Sequence, residues 1–386
     1  MPADLSHHSD MESQTQPGKA RALIFSFRNI FGSALFRCPH FEFEDLICKI
    51  DSAELFAPKI DPSSLRFSFA TQLAYHAPIT LNPGIHGLPG KGPYDFLFTI
   101  CGFPQDLLLF SGADNFRDVC RTSVCLLDEL WINDIVKHRH FLRILEKFDV
   151  VMLYYSQTVK PLGERIKSRC AFLPPGIDAI SFCPYPDPVE RVIDVYSIGR
   201  RSQITHQKLL EWARETRRFY LHDTIRGSQS INSKEHRALF ANAIRRSQYF
   251  IVNPGKIDEP NQRGQQIEVG NRYFEGAASG AIMVGEPPAN EAFKSLFDWP
   301  DAVSRVPYDS RDIDMVIKDL DGDPERQERI RRTGVVQALM RHDWVYRWEA
   351  VLKSVGLAPL QAAEERKVRL RKLAEIASQG DRSPSG

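Results

Sequence analysis

The 386-residue chain has almost no net charge, because 50 lysine and arginine residues face 49 aspartate and glutamate residues. Proteins that coat nucleic acid carry a basic excess that displaces counterions from phosphates, so we expect no nucleic-acid partner. No run approaches the roughly 18 apolar residues of a membrane span. Residues 1–20 are polar and lack the apolar stretch of a signal peptide. We therefore predict a cytoplasmic protein with a disordered N-terminal tail over residues 1–20 and no transmembrane segment.

Several chemical signatures are also missing. The seven cysteines include no CxxC pair, so neither a zinc site nor a disulfide framework is predicted. The chain has no GxGxxG after its first strand and no GxxxxGK[ST], HExxH or GxSxG. Nicotinamide enzymes, P-loop nucleotidases, zincins and serine hydrolases thus lack their usual fingerprints. A composition of 42% hydrophobic and 26% charged residues nevertheless indicates a globular enzyme, and the length favours two domains.

Short apolar strands alternate with helical segments along most of the chain, as in ALIFSF, YDFLFTI and DVVMLYYS. This alternation predicts an α/β fold with parallel sheets covered on both faces. The segment 174–188, PPGIDAISFCPYPDP, contains five prolines and indicates a domain boundary. We predict two α/β domains, a helix able to pack on a neighbouring domain, and a charged helix that is solvated or loosely docked. Their boundaries are 21–185, 186–340, 341–358 and, for the charged helix with its disordered tail, 359–386.

Residues 268–286, EVGNRYFEGAASGAIMVGE, contain the most informative pattern. They predict an acidic loop and a short helix that ends at Gly280, followed by an apolar strand. The helix would place backbone N–H groups, Arg272 and Glu275 at the mouth of a parallel sheet, an arrangement that suits a phosphorylated ligand with free hydroxyls. A carboxylate such as Glu275 accepts hydrogen bonds from a ribose, although a first-turn glutamate is more often an acid stabilised by the helix dipole.

Other candidates follow predicted strands. Arg200 and Arg201 come directly after VYSIG, where guanidinium groups bind a diphosphate, with a solvated basic turn as the alternative. Gly32 follows the first strand and would let the backbone approach a ligand. Asp128 and Glu129 end the strand SVCLLDE and are candidate bases.

The glycine-rich stretch LNPGIHGLPGKGP adds two weaker candidates, His86 and Lys91.

Four segments together resemble a known family, the retaining GT-B glycosyltransferases. NRYFEGAASGAIMVGE resembles their donor-binding helix, and SIGRR resembles their phosphate site after a strand. PPGID is similar to the segment that precedes their second domain, and RHDWVYRWEAVLKSVG resembles the closing helix of the CgeB-like subgroup. The resemblance covers residues 174–356, and the first domain only by pattern. It implies two Rossmann-like domains that face each other across a cleft, with a C-terminal helix that packs back on the first.

The resemblance also implies roles for individual residues. Glu275 would bind the donor ribose, and Arg200 would bind the diphosphate. Asn271 and Arg272 would lie beside the phosphates, and Glu268 would stand near the donor sugar. Glu268 and Arg200 are the predicted catalytic residues. The predicted donor-binding residues are Glu275, Arg272, Asn271, Arg201, Gly199 and Gly32.

The implied activity is transfer of a sugar from a nucleotide-sugar donor to a hydroxyl of a glycan or small-molecule acceptor. It is expected to proceed with retention, without a metal or cofactor, and to serve polysaccharide or other glycan synthesis. Peripheral membrane contact is left open.

Two departures from the family pattern support an alternative. Glu268 and Glu275 have six residues between them rather than seven, so the first acid would be either displaced or replaced by another loop residue such as Gln266. The family's lysine after Gly-Arg is missing, which leaves His206, Lys208 or Arg201 to replace it. The alternative is a catalytically inactive GT-B-like binding or assembly protein in surface glycan production. A nucleotide-sugar epimerase is a third reading, weakened by the missing dinucleotide fingerprint.

Overall fold

A computed structural model describes residues 20–77, 79–85, 87–88, 92–111, 116–223 and 232–379. Residues 1–19 and 380–386 of the predicted tails, and the candidates His86 and Lys91, lie outside these ranges. Within them the chain forms eleven strands: β1 Ala22–Phe25, β2 Ala53–Phe56, β3 Tyr94–Cys101, β4 Cys120–Leu127, β5 Val150–Leu153, β6 Arg169–Phe172, β7 Ile193–Ser197, β8 Tyr220–His222, β9 Ser247–Val252, β10 Ile282–Gly285 and β11 Ser304–Arg305.

The described part also contains sixteen α-helices: α1 Arg28–Phe31, α2 Cys38–Ile50, α3 Leu65–His76, α4 Phe116–Val119, α5 Arg139–Leu142, α6 Val159–Gly163, α7 Ala179–Phe182, α8 Gln203–Thr216, α9 Ser233–Arg245, α10 Pro260–Arg263, α11 Asn271–Ser279, α12 Glu291–Leu296, α13 Ile313–Asp321, α14 Pro324–Arg341, α15 Trp344–Ser354 and α16 Gln361–Gln379. Short 3-10 turns are found at Leu35–Arg37, Pro104–Ser111, Ile132–Asp134, Arg143–Lys147 and Ser156–Thr158. None of these helices is long and apolar enough to cross a membrane.

Two separate parallel sheets confirm the predicted α/β fold. The first has six strands in the order β2-β1-β3-β4-β5-β6, and the second has five in the order β11-β10-β9-β7-β8. Strands β1, β5 and β10 are buried along their whole length because their residues are apolar on both faces. The strand order reverses between β1 and β3, and again between β7 and β9. Ligands of open α/β sheets bind beyond the carboxyl ends of the strands at such points.

The helices of the second domain begin and end where local sequence requires it. Ser202 caps α8 by accepting from the N–H of Thr205, and Asn232 caps α9 in the same way. Helix α11 ends at Gly280, whose φ of 65° is in the left-handed region that favours glycine. Gly276 lets α11 pack closely on its sheet, because a Cβ there would lie 2.6 Å from Met283. These local rules explain why the pattern in residues 268–286 predicts the observed helix and strand.

The C-terminal helices join the two domains. Trp344 at the start of α15 stacks on Phe43 of α2, with ring centroids 4.6 Å apart. Trp348 donates from Nε1 to Asp51 at 2.6 Å. One apolar cluster therefore runs from the first sheet through α15 to the second domain, with Phe98, Trp348 and Phe250 among its members. The predicted C-terminal helix that packs back on the first domain is present.

Two sequence predictions about helices need correction. Helix α16 was expected to be solvated or loosely docked, yet Ala363 and Ala377 are fully buried and Arg366 pairs with Asp343 at 2.7 Å. Its thin apolar stripe suffices because alanine lets the helix approach its neighbours closely. The segment IVKHRHFLRILEKF, residues 135–148, has apolar residues at helical spacing that predict one helix, but it forms only α5 and the following 3-10 turn.

The cysteines provide a direct test of this fold. All seven are free, and Cys48 is the one that is exposed. Burial, with added repulsion from Asp45, raises the pKa of the Cys48 thiol. We therefore expect the Cys48 thiol to react first with DTNB, more slowly than free cysteine. The half-buried Cys170 thiol should follow, and the five buried thiols should react only after denaturation. The Cys48→Ser variant should lose this early phase, and several fast thiols in that variant would contradict the fold.

Candidate functional site

The N-terminus of α11 opens toward the loop that follows β7. Gly270 precedes the helix, no side chain caps it, and a Cβ on Gly270 would meet nothing within 4 Å. Gly199, with φ of 86°, lies close enough that its Cβ would be 3.9 Å from Nη2 of Arg272. Asn271 is the first residue of the helix and is half-buried. A helix N-terminus, a guanidinium and a glycine turn thus converge, which is an arrangement that binds phosphate.

Glu275 is sealed between two arginines. Its Oε2 accepts from Nη1 of Arg272 and its Oε1 accepts from Nη1 of Arg237, both at 2.6 Å. Burial opposes ionisation, but the two guanidinium groups overcome it and hold the pKa of Glu275 below its ordinary value. The side chain of Glu275 is 1% exposed and that of Arg272 is 34% exposed. The ribose role of Glu275 stays a prediction, and it requires Arg272 to turn toward the ligand.

Glu268, which was predicted to stand near the donor sugar, lies in a contact between the two domains. Its carboxylate is buried and accepts from the backbone N–H groups of Ser156 and Gln157 in the first domain, each at 3.0 Å. Gln266 donates to the same carboxylate at 2.8 Å. Burial raises the pKa of Glu268, against the opposing effect of these hydrogen bonds. The loop before α11 folds onto the first domain, so Glu268 ties the two domains together and its catalytic role stays a prediction.

Gln266, the proposed substitute for this acid, is equally enclosed. Its Oε1 accepts from the N–H of Ile132 at 2.8 Å, and its Nε2 donates to Thr158 at 2.8 Å. Both partners belong to the first domain, so Gln266 is part of the same interdomain contact.

The Glu268→Gln variant separates the structural role from the catalytic one. If Glu268 only stabilises the contact between the domains, loss of its charge should lower the free energy of unfolding by about 1–3 kcal/mol and change turnover only a few-fold. Urea denaturation and steady-state kinetics measure the two effects. Loss of most activity in a variant of unchanged stability would restore Glu268 as a catalytic residue.

The two arginines after β7 are already paired with acids. Arg200 contacts Asp258 at 3.2 Å and also Glu259, and its side chain is about half exposed. Arg201 pairs with Asp223 at 2.6 Å. These pairs lie at the carboxyl end of β7, as expected, and an anion would have to compete with the carboxylates.

Three weaker candidates have local explanations. Gly32 has φ of −61°, and a Cβ would lie 2.2 Å from the carbonyl oxygen of Arg28, so its own turn accounts for the glycine. Lys208 pairs with Asp314 at 3.0 Å, and His206 shares a hydrogen bond with Tyr220 at 2.9 Å. None of these contacts points to a ligand.

The first domain contributes a pair that sequence patterns only half revealed. Asp128, a candidate base, shares a hydrogen bond of 2.7 Å with Nε2 of His40 just beyond the carboxyl end of β4. A carboxylate that orients an imidazole is an arrangement able to move a proton. The other candidate base, Glu129, pairs with Lys256 of the second domain. His40 lies 88 residues from Asp128, so no local signal connects them.

Arg237 was also missed, because nothing near it in sequence marks a site. It lies in the first turns of α9 and contacts Glu275 of α11, 38 residues away. Among the described residues, no group of three or more histidine, cysteine, aspartate or glutamate side chains is placed to hold a metal ion.

Comparison with known proteins supports the resemblance. A glycosyl transferase-like family model matches residues 197–353. No curated protein sequence matches the chain significantly. The CgeB-like subgroup and the exclusion of nucleic acid stay predictions.

Three solved structures are similar to this chain, and the two with the higher TM-scores share its fold. An α-glucosyltransferase in complex with UDP-glucose and DNA containing an abasic site is 12% identical, with 87% of this chain and 99% of that chain covered and a TM-score of 0.52. An α-glucosyltransferase in complex with UDP and a 13-mer DNA containing a central A:G mismatch is 11% identical, with 87% of this chain and 99% of that chain covered and a TM-score of 0.50. A UDP-forming α,α-trehalose-phosphate synthase from Burkholderia vietnamiensis is 12% identical, with 87% of this chain and 83% of that chain covered and a TM-score of 0.45. The chain thus has the GT-B fold of these α-glucosyltransferases, and most of its second domain lies in the region that matches the glycosyl transferase-like family model.

Proposed function

We propose that the chain transfers a sugar from a nucleotide-sugar to an acceptor hydroxyl of a glycan or small molecule, in the cleft between its two sheets. The observation that supports this most strongly is the N-terminus of α11. No side chain caps it, the space beside Gly270 is open, and Arg272 of its first turn lies next to Gly199. A diphosphate carries the negative charge that such a site attracts. The transfer is proposed to need no metal or cofactor, because Arg272 and the helix N-terminus supply the positive charge.

The donor would be held in two steps. Its diphosphate takes the guanidinium of Arg272, which is the more exposed partner of Glu275. This releases Oε2 of Glu275 for a ribose hydroxyl, while Arg237 keeps Oε1 in place. As the glycosidic bond breaks, charge grows on the departing diphosphate, and donors already aimed at it stabilise that charge without reorganisation.

Retention is the proposed stereochemical course, with the departing diphosphate taking the proton of the acceptor hydroxyl. The His40–Asp128 pair offers a specific alternative, since a base on the first domain would favour inversion. The anomeric configuration of the product, read by NMR, decides between the two. An inverted product whose formation fails in the His40→Asn variant would replace the retaining mechanism.

The second candidate function is an inactive binding or assembly protein in glycan production. Its support is the spacing of six residues between Glu268 and Glu275, together with the enclosed position of Glu268. A nucleotide-sugar that raises the melting temperature without release of nucleoside diphosphate would favour this candidate.

The experiment that tests the main proposal is a screen of UDP-, ADP-, GDP- and dTDP-sugars for thermal stabilisation and for release of nucleoside diphosphate. UDP-glucose is the natural first donor, because one structural neighbour was solved with it. The proposal would be wrong if the protein neither bound nor cleaved any donor in the panel.

A further inference from the structure

Arg237 joins the donor helix to the first domain. Its side chain is 8% exposed and donates to two carboxylates. Nη1 donates to Oε1 of Glu275 on α11 at 2.6 Å, and Nε donates to Oε2 of Glu42 on α2 at 2.7 Å. Because α2 belongs to the first domain and α11 to the second, one guanidinium spans the boundary.

Glu42 lies where the parts of the chain that control domain placement meet. Besides Arg237, its Oε1 accepts from the N–H of Asp178 at 3.0 Å and from Nε1 of Trp344 at 2.8 Å. Asp178 is in the segment that links the domains, and Trp344 begins the closing helix α15. The position of Glu42 relative to Arg237 therefore depends on how the two domains are placed.

We propose that Arg237 is a positioning residue that makes the readiness of Glu275 to bind donor depend on domain placement; this rests on the proposed function. When the domains are together, the guanidinium of Arg237 donates to both Glu42 and Glu275, so its attraction is divided between the two carboxylates. When the domains are apart, Arg237 pairs with Glu275 alone. The carboxylate of Glu275 is then occupied by the guanidinium and accepts a hydrogen bond from a neutral ribose hydroxyl less readily. Donor binding and domain closure are coupled as a result, and each favours the other.

A second pair between the same two helices provides a matched control. Lys234 of α9 lies 3.4 Å from Asp45 of α2, but its side chain is 70% exposed. An exposed pair contributes little, whereas removal of one partner from a buried pair leaves an unpaired charge. Lys234→Gln thus removes a cation less than one turn from Arg237 on the same helix, without touching Glu275 or Glu42.

The test compares Glu42→Gln, Arg237→Lys and Lys234→Gln with the wild type. Titration calorimetry gives the dissociation constant of the donor found in the nucleotide-sugar panel, and small-angle X-ray scattering gives the radius of gyration with and without it. Glu42→Gln should weaken donor binding at least fivefold and abolish any donor-induced compaction, although Glu42 lies on the opposite domain. Arg237→Lys, which keeps the charge but not the two-sided geometry, should be partly impaired. Lys234→Gln should stay within twofold of the wild type.

A folded Glu42→Gln variant that binds donor within twofold of the wild type would overturn the inference. So would equal losses in Glu42→Gln and Lys234→Gln.

Failure of the proposed function is a separate result, namely a wild type that binds no donor. In that case the donor-dependent part of the inference fails with the proposed function, and the link between Glu42 and Glu275 is tested by a double-mutant cycle of Glu42→Gln and Glu275→Gln, measured by urea unfolding. Non-additive losses of stability would support the link between Glu42 and Glu275 through Arg237, and additive losses would overturn that link.

Discussion

Replacing Arg272 by glutamine is expected to lower kcat/KM by about 100-fold or more, which corresponds to roughly 2.7 kcal/mol of transition-state stabilisation. Arg272 stands at the uncapped N-terminus of α11 beside Gly199, and about a third of its side chain is exposed. The charge that it would neutralise is greatest when the diphosphate leaves, so kcat should fall more than donor KM rises. Steady-state assay of nucleoside diphosphate release measures both.

Arg200→Gln is the matched comparison, because Arg200 is the arginine that the family resemblance singles out. Its guanidinium is paired with Asp258 and Glu259. We expect this variant to lose less activity than Arg272→Gln. A greater loss in Arg200→Gln, with Arg272→Gln within threefold of the wild type, would reverse the assignment of the diphosphate clamp.

Replacing Asp343 by alanine is expected to lower the free energy of unfolding by about 3–5 kcal/mol, the usual result of removing one partner of a buried ion pair. Asp343 is fully buried and pairs with Arg366 at 2.7 Å. It also accepts from the N–H groups of Ala179 at 3.0 Å and Val345 at 2.9 Å. One carboxylate thus holds the interdomain segment, α15 and α16 together. Chemical denaturation monitored by circular dichroism provides the measurement.

Two further variants keep that prediction testable. Asp343→Asn retains the shape and should cost less than alanine, so it remains measurable if the alanine variant fails to fold. Asp298→Ala removes an exposed partner of Arg341 and should leave stability unchanged within error. An Asp343→Ala variant as stable as the wild type would show that the surrounding groups find other partners.

The elements of the fold were largely predictable, because they depend on local patterns. Strands that are apolar along their whole length, such as β5 and β10, must be buried on both faces, and this is typical of parallel sheets covered by helices. Helix α11 followed from residues near it in sequence, including Gly280, which ends it. The close packing of α16 was not predicted, because its few buried alanines add little to the mean hydropathy of a highly charged segment.

The partners of the candidate site were not predictable in the same way. Arg237 reaches Glu42 across 195 positions in sequence, and His40 reaches Asp128 across 88. No periodicity records such a distance, and the donors to Glu268 lie 112 and 111 positions away. A carboxylate that looks free in sequence can therefore be fully satisfied in the folded chain.

Sequence alone determined the α/β class, the helix that begins at Asn271, and the placement of Arg200 and Arg272 at strand and helix ends, because neighbouring residues control each of these. Tertiary structure alone decided which charges meet. It enclosed Glu275 between Arg237 and Arg272 and turned Glu268 into an interdomain contact. The physical reason is that backbone propensity acts over a few residues, whereas the state of a buried charge depends on whichever groups packing brings within hydrogen-bond distance.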